Sequence, residues 1–216
     1  MQIAIGLYPG LTALDVVGPY QVLTLVPGVE VVLCAEQTGR LTDDNGLLHF
    51  DVEHTFDDVP SPDVLIVGGG FATRALATHD SRIVQWIRDA HPTTTWTTSV
   101  CTGALLLGAA GLLDGLDATT HWAYTELIEA QGATPVTERV VFQGKVITAA
   151  GVSAGIDMAL TLVDRLMGPE VAQAIQLGIE YDPQPPFDSG APWKATAEVR
   201  ELVRMVIEAE ESTPAS

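Results

Sequence analysis

Cysteine, positive charge and aromatic side chains are all scarce in this chain: 216 residues include two Cys, 10 Lys and Arg together, and 6% Phe, Trp and Tyr. Two cysteines, Cys34 and Cys101, cannot staple a fold, and neither sits in a CxxC or Cys/His spacing suited to zinc, so no metal is expected. With 28 Asp and Glu the formal net charge is −18, which repels phosphate backbones and anionic membrane surfaces. Neither nucleic acid nor a membrane is an expected partner. The longest unbroken stretch of apolar and small residues, Gly103–Leu113, is too short to span a bilayer. The start, Met1-Gln2-Ile3-Ala4-Ile5-Gly6-Leu7, has no basic residue before its apolar run and no small-residue cleavage site, unlike a signal peptide. A cytoplasmic location with two free thiols is the expectation.

What remains is an ordinary globular composition, 47% hydrophobic and 18% charged, with length for one sizeable core; a single domain over 1–216 is expected, its end (194–216) a helix and tail. The first 150 residues alternate short β-branched runs with helical patterns, the signature of βαβ units around a mainly parallel sheet. Strands are expected at Gln2–Tyr8, Glu30–Ala35, Val64–Val67 and Thr94–Val100, and helices at Thr12–Leu25, Ser81–Ala90 and Gly103–Leu113, the last stopped by Asp114-Gly115. Asp43-Asp44-Asn45-Gly46 signals a turn in a small hairpin over Arg40–Asp51. Further on come a helix at Ala123–Gln131, a hairpin of Arg139–Phe142 with Lys145–Ala149, and a helix at Ala154–Met167 begun by Ser153 and stopped by Gly168-Pro169. Four prolines between Tyr181 and Trp193 suit an extended arm, before an amphipathic helix at Thr196–Glu211 and a frayed tail, Ser212–Ser216.

The strongest chemical signal is Ser99-Val100-Cys101-Thr102-Gly103, delivered by a β-prone run to the start of an apolar helix. It resembles a nucleophile elbow carrying sulfur: the strained turn needs small residues two before and two after the nucleophile, here Ser99 and Gly103. A helix start favours the thiolate, so a depressed thiol pKa is expected at Cys101. Cys34, inside an apolar strand with no His beside it, reads as core.

Three other places could complete a site. Gly68-Gly69-Gly70 follows a buried strand, so the N–H groups of Gly69 and Gly70 are either oxyanion donors or part of a tight turn. Asp15 lies among apolar neighbours; it is either a protonated carboxyl facing Cys101 and working as acid and base, or a helix-start acid with Thr12 three residues earlier. His121 is the candidate for a Cys–His pair or a helix-start residue that only packs, while His49, His54, His79 and His91 look solvated. The N–H of Thr102 and that of Val152, which opens another helix, are further oxyanion candidates, and the Thr102 hydroxyl a substrate contact.

Leu14-Asp15-Val16-Val17-Gly18-Pro19, Gly68–Gly70, Ser99–Gly103 and Ala118-Thr119-Thr120-His121-Trp122 together resemble the DJ-1/PfpI superfamily over about residues 1–190. Within it, Asp rather than Glu on the first helix, Cys101-Thr102 and the Tyr181–Phe187 arm are similar to the isonitrile hydratase branch. That resemblance implies a flavodoxin-like three-layer α/β sandwich, a homodimer without metal or organic cofactor, and hydration of an isonitrile to an N-substituted formamide. It also implies Cys101 as nucleophile, Asp15 as proton donor and acceptor, and Thr102 as a substrate contact. Two alternatives share the fold: glyoxalase or deglycase chemistry, against which Asp15 argues, and a ligand or redox sensor similar to the amidotransferase-like half of AraC-type regulators. A PfpI-like protease ranks last, since His121 alone supports it.

Overall fold

The computed structural model describes residues 1–78 and 80–211; His79 and the tail 212–216 lie outside the described residues. The chain divides into two compact units, Met1–Ile179 and a second beginning at Glu180.

In chain order the first unit contains β1 (Gln2–Gly6), α1 (Ala13–Leu23), β2 (Glu30–Ala35), β3 (Gly39–Thr42), β4 (His49–Val52), β5 (His54–Thr55) and β6 (Val64–Val67). There follow α2 (Thr73–Thr78), α3 (Arg82–Ala90), β7 (Trp96–Val100), α4 (Gly103–Ala109), β8 (Asp117–Ala118), α5 (Thr125–Glu129) and β9 (Thr134–Pro135). The unit closes with β10 (Val140–Gln143), β11 (Val146–Ala149), α6 (Ala154–Met167) and α7 (Pro169–Gly178).

The main sheet has the order β10-β11-β7-β6-β1-β2-β5, all neighbours parallel except the β10/β11 hairpin. Strand β6 is a short apolar run because helices cover the sheet on both faces, and every residue of it is buried. Helix α6 packs on α1 and α7, and α4 packs on α2, α3 and α5, giving the three-layer α/β sandwich. The chain moves outward from β1 to β2 and β5, then returns to the other side of β1 with β6. The β1/β6 boundary is therefore a topological switch point, where the loops after parallel strands diverge and leave a crevice.

Most expected elements are present. Expected helix Gly103–Leu113 ends early, at Ala109, because Gly111 takes a left-handed φ of 78° and closes the helix: Gly111 N–H reaches Gly108 O at 2.8 Å and Leu112 N–H reaches Leu107 O at 3.0 Å. The expected helix at Ala123–Gln131 is split into a short 3-10 turn at Trp122–Tyr124 and α5. Helix α2 and the two-residue strands β5, β8 and β9 carry too few residues to show a period, and the sequence reading had not identified them.

The second unit holds the proline-bearing segment, with neither helix nor strand from Tyr181 to Trp193, followed by α8 (Ala197–Glu211). Arg200 ties the two pieces together, donating through Nη1 to the carbonyls of Pro192 at 2.7 Å and Ala195 at 2.8 Å.

Candidate active site

Cys101 occupies the sharp turn between β7 and α4 with φ 57°, a left-handed conformation costly for a residue with a side chain. Hydrogen bonds hold it on both sides: its N–H is shared between Ala149 O at 3.1 Å and Ala150 O at 3.0 Å, and its carbonyl accepts from Thr120 Oγ1 at 2.9 Å and from Ala104 N–H at 3.4 Å. The elbow's need for small flanking residues is literal here. A Cβ on Gly103 would lie 2.5 Å from Val67 O, and Ser99 is fully buried.

The loop after β6 brings Asp15 and Thr102 to the same place. Gly69 N–H donates to Asp15 Oδ2 at 2.7 Å, and Gly70 N–H donates to Thr102 Oγ1 at 3.0 Å. These two N–H groups are thus already engaged inside the protein, which corrects their expected oxyanion role: they seat the carboxyl and the hydroxyl. The glycines are there for close approach, since a Cβ on Gly69 would sit 2.5 Å from Thr102 Oγ1 and 2.9 Å from Asp15 Oδ2. Thr102 is likewise enclosed, its hydroxyl held between the N–H and the carbonyl of Gly70.

Asp15 is 0% exposed, and its Oδ1 has no hydrogen-bond partner. It is therefore more than a helix-start acid: Thr12 sits at the N-cap of α1 but makes no side-chain cap bond. Burial raises the carboxyl from the usual 3.8 to about 7; the Gly69 N–H and the Cys101 thiol pull it down, and the Asp44 charge adds to the rise.

The Cys101 thiol departs from expectation. Burial, and then the Asp15 charge, push it up to about 12, against smaller opposing effects from the N–H groups of Val152 and Thr102 and the Thr102 hydroxyl. The expected thiolate loses because taking the charge out of water costs more than the N–H groups return. Val152 does meet Cys101, from a backbone with φ 26°.

His121 is engaged away from the thiol through one ring nitrogen. Its Nδ1 accepts from Ala123 N–H at 3.3 Å, its ring is held against Gly151, Trp122 and Tyr124, and burial lowers its pKa. His49 and His54 are exposed, but His91, read as solvated, is half-buried with Nδ1 at 2.8 Å from Thr97 Oγ1. Cys34 is core, fully buried with its thiol on Ile5 O at 3.8 Å and pushed by burial to about 12. Two residues the sequence reading had not identified adjoin the site. Tyr8 donates its buried hydroxyl to Gly68 O at 2.8 Å, and Thr120 anchors the elbow; Tyr8 closes the expected strand Gln2–Tyr8, the one signal that it stands at a strand's C-terminal end. Among the described residues no group of three His, Cys, Asp or Glu side chains gathers as a metal site.

Residues 1–165 match the family model described as DJ-1/PfpI. The chain belongs to the DJ-1/PfpI family. One similar member of the family is the isonitrile hydratase of Pseudomonas putida, 45% identical over 204 residues, covering 94% of this chain and 89% of that protein. The crystal structure of a ThiJ/PfpI family protein from Pseudomonas syringae superposes with a TM-score of 0.90 at 37% identity, covering 98% of this chain and 89% of that one. The HTH-type transcriptional regulator CdhR of Pseudomonas aeruginosa is 36% identical over 112 residues, 51% of this chain but 33% of the regulator. In this DJ-1/PfpI chain the crevice at the switch point thus holds an enclosed thiol, a carboxyl that titrates near neutrality and a fixed hydroxyl.

Proposed function

We propose that this protein hydrates isonitriles, R–N≡C, to N-substituted formamides. The observation that carries the reading is the pairing of Cys101 with a buried Asp15 whose carboxyl titrates at about 7, in a chain 45% identical to an isonitrile hydratase. The isonitrile carbon needs both a nucleophile and a proton. A thiol beside a carboxylate supplies both from one site.

With one proton on the pair, Asp15 takes the thiol proton as Cys101 Sγ bonds to the isonitrile carbon, and returns it to that carbon. The product is a thioimidate, R–N=CH–S–Cys101. Asp15, again a carboxylate, takes a proton from water as the hydroxyl adds to the carbon, and passes that proton to the nitrogen. The C–S bond then breaks, the hydroxyl proton passes through Asp15 to sulfur, and R–NH–CHO leaves with the thiol restored. Gly69 N–H and Thr102 act as positioning groups for Asp15 and Cys101, and the Val152 N–H steadies negative charge on sulfur. No resident cofactor enters these steps. As the family resemblance implies, the protein works as a homodimer. Among its described residues no helix is long and apolar enough to cross a membrane.

The test is formamide production from an aryl isonitrile and from cyclohexyl isonitrile, with methylglyoxal consumption measured alongside. Turnover that disappears in Cys101→Ala is expected. Methylglyoxal consumption without formamide would move the protein to the glyoxalase branch, and inactivity on both would leave the sensor reading.

A further inference from the structure

The β3/β4 hairpin, remote from the elbow in sequence, reaches the site through its turn. Asp43 braces that turn, its Oδ1 accepting from the N–H groups of Leu47 at 3.0 Å and Leu48 at 3.1 Å. The next residue, Asp44, is held by both carboxylate oxygens: Oδ2 accepts from Thr12 Oγ1 at 2.6 Å and Oδ1 from Asn45 Nδ2 at 2.9 Å. Its own N–H donates to Leu11 O at 2.9 Å. Thr12 N–H donates to Gly69 O at 2.8 Å, and Gly69 N–H donates to Asp15 Oδ2 at 2.7 Å. An unbroken chain of short contacts therefore runs from Asp44 through Thr12 and Gly69 to Asp15.

We propose that Asp44 is a positioning residue for the hydration reaction, fixing the Asp15 carboxyl through Thr12 and Gly69 and setting a negative charge near it. The inference rests on the isonitrile reading above and adds a residue to it. A carboxylate clamped on both oxygens holds Thr12, Thr12 holds the Gly69 peptide, and that peptide aims its N–H at Asp15. The same placement sets a fixed negative charge near the carboxyl. Cys101 and Asp44 act on Asp15, and Asp15, Cys101 and Asp44 act on its neighbour Tyr8, so among the described residues Asp44 is the further carboxylate that acts on this cluster. Its charge makes Asp15 the stronger base toward the Cys101 thiol, which is the first proton transfer of the reaction.

Asp44→Asn keeps the size and an acceptor for Thr12 but removes the charge. The Asp15 midpoint is read by 13C-carboxyl titration, assigned by the signal missing in Asp15→Asn, and needs no isonitrile. It is expected to fall by roughly 0.5 pH unit in Asp44→Asn. The plateau kcat on an aryl isonitrile is expected to fall about threefold with KM unchanged, and Asp44→Glu to restore both. Thr12→Val, which cuts the relay at its middle, lowers kcat in the same way and carries the test should Asp44→Asn not fold. An unchanged midpoint in Asp44→Asn, or wild-type kcat in both Asp44→Asn and Thr12→Val, overturns the proposal. Absence of isonitrile turnover in the wild type overturns the functional reading instead, and the titration still decides whether Asp44 acts on Asp15.

Discussion

Gly69 donates its backbone N–H to Asp15 Oδ2 at 2.7 Å across 54 residues of chain. That bond joins the loop after β6 to the first turn of α1 at the place where the sheet reverses direction, and it gives the buried carboxyl a backbone donor. The glycine lies wedged between Asp15 and Thr102, so both groups depend on the same few cubic ångströms.

Gly69→Ala is expected to damage both. Its Cβ would meet Thr102 N at 2.6 Å and Thr102 Oγ1 at 2.5 Å, atoms that the elbow backbone holds in place. A shift of order 1 Å in Asp15 or Thr102 should lower turnover about 100-fold, with a stability loss of about 2 kcal/mol from overpacking. Steady-state kinetics and urea unfolding check this, and near-wild-type turnover would show that the loop yields without moving the carboxyl.

Asp15 should leave a signature in the pH dependence of stability. Its carboxyl rises from 3.8 to about 7 on folding, so the folded state takes up a proton. Its stabilising contribution is complete below about pH 4 and is lost as pH rises through about 7, a total of about 4 kcal/mol. Asp15→Asn has no such proton to lose. The mutant should therefore gain stability relative to wild type between about pH 4 and about pH 7, read by denaturant unfolding at each pH. A constant difference across that range would contradict the assignment.

His121→Asn preserves an acceptor for the Ala123 N–H and removes the imidazole. His121 Nδ1 is taken by the Ala123 N–H and Asp15 is the charged group beside the Cys101 thiol, so turnover should stay within about threefold of wild type, and Cys34→Ala should likewise leave it intact. A fall of about 100-fold in His121→Asn, the size of a lost general base, would reinstate a Cys–His pair.

The elbow was legible because its chemistry is local. Ser99, Cys101 and Gly103 stand at the spacing a strand-to-helix turn requires, and that spacing survives in any fold that contains the turn. The strand assignments followed from period and length, and β2 and β6 match their expected bounds. Asp15 was half legible: an acid among apolar neighbours signals burial, but its partner lies 54 residues away. Asp44 looked like nothing more than a turn residue, since Asp-Asp-Asn-Gly reads the same in any hairpin.

Residue order by itself determined the alternation of strands and helices, the tight turn at Cys101 and the requirement for glycine beside it, because these depend on backbone geometry over a few residues. The protonation of the pair was decided by folding. Local sequence favoured a thiolate at a helix start, yet enclosure of Cys101 and Asp15 in one crevice raises both, to about 12 and about 7. Desolvation and charge repulsion depend on what surrounds a group in three dimensions, and here the surroundings come from β1, β6, β7 and the β3/β4 turn together.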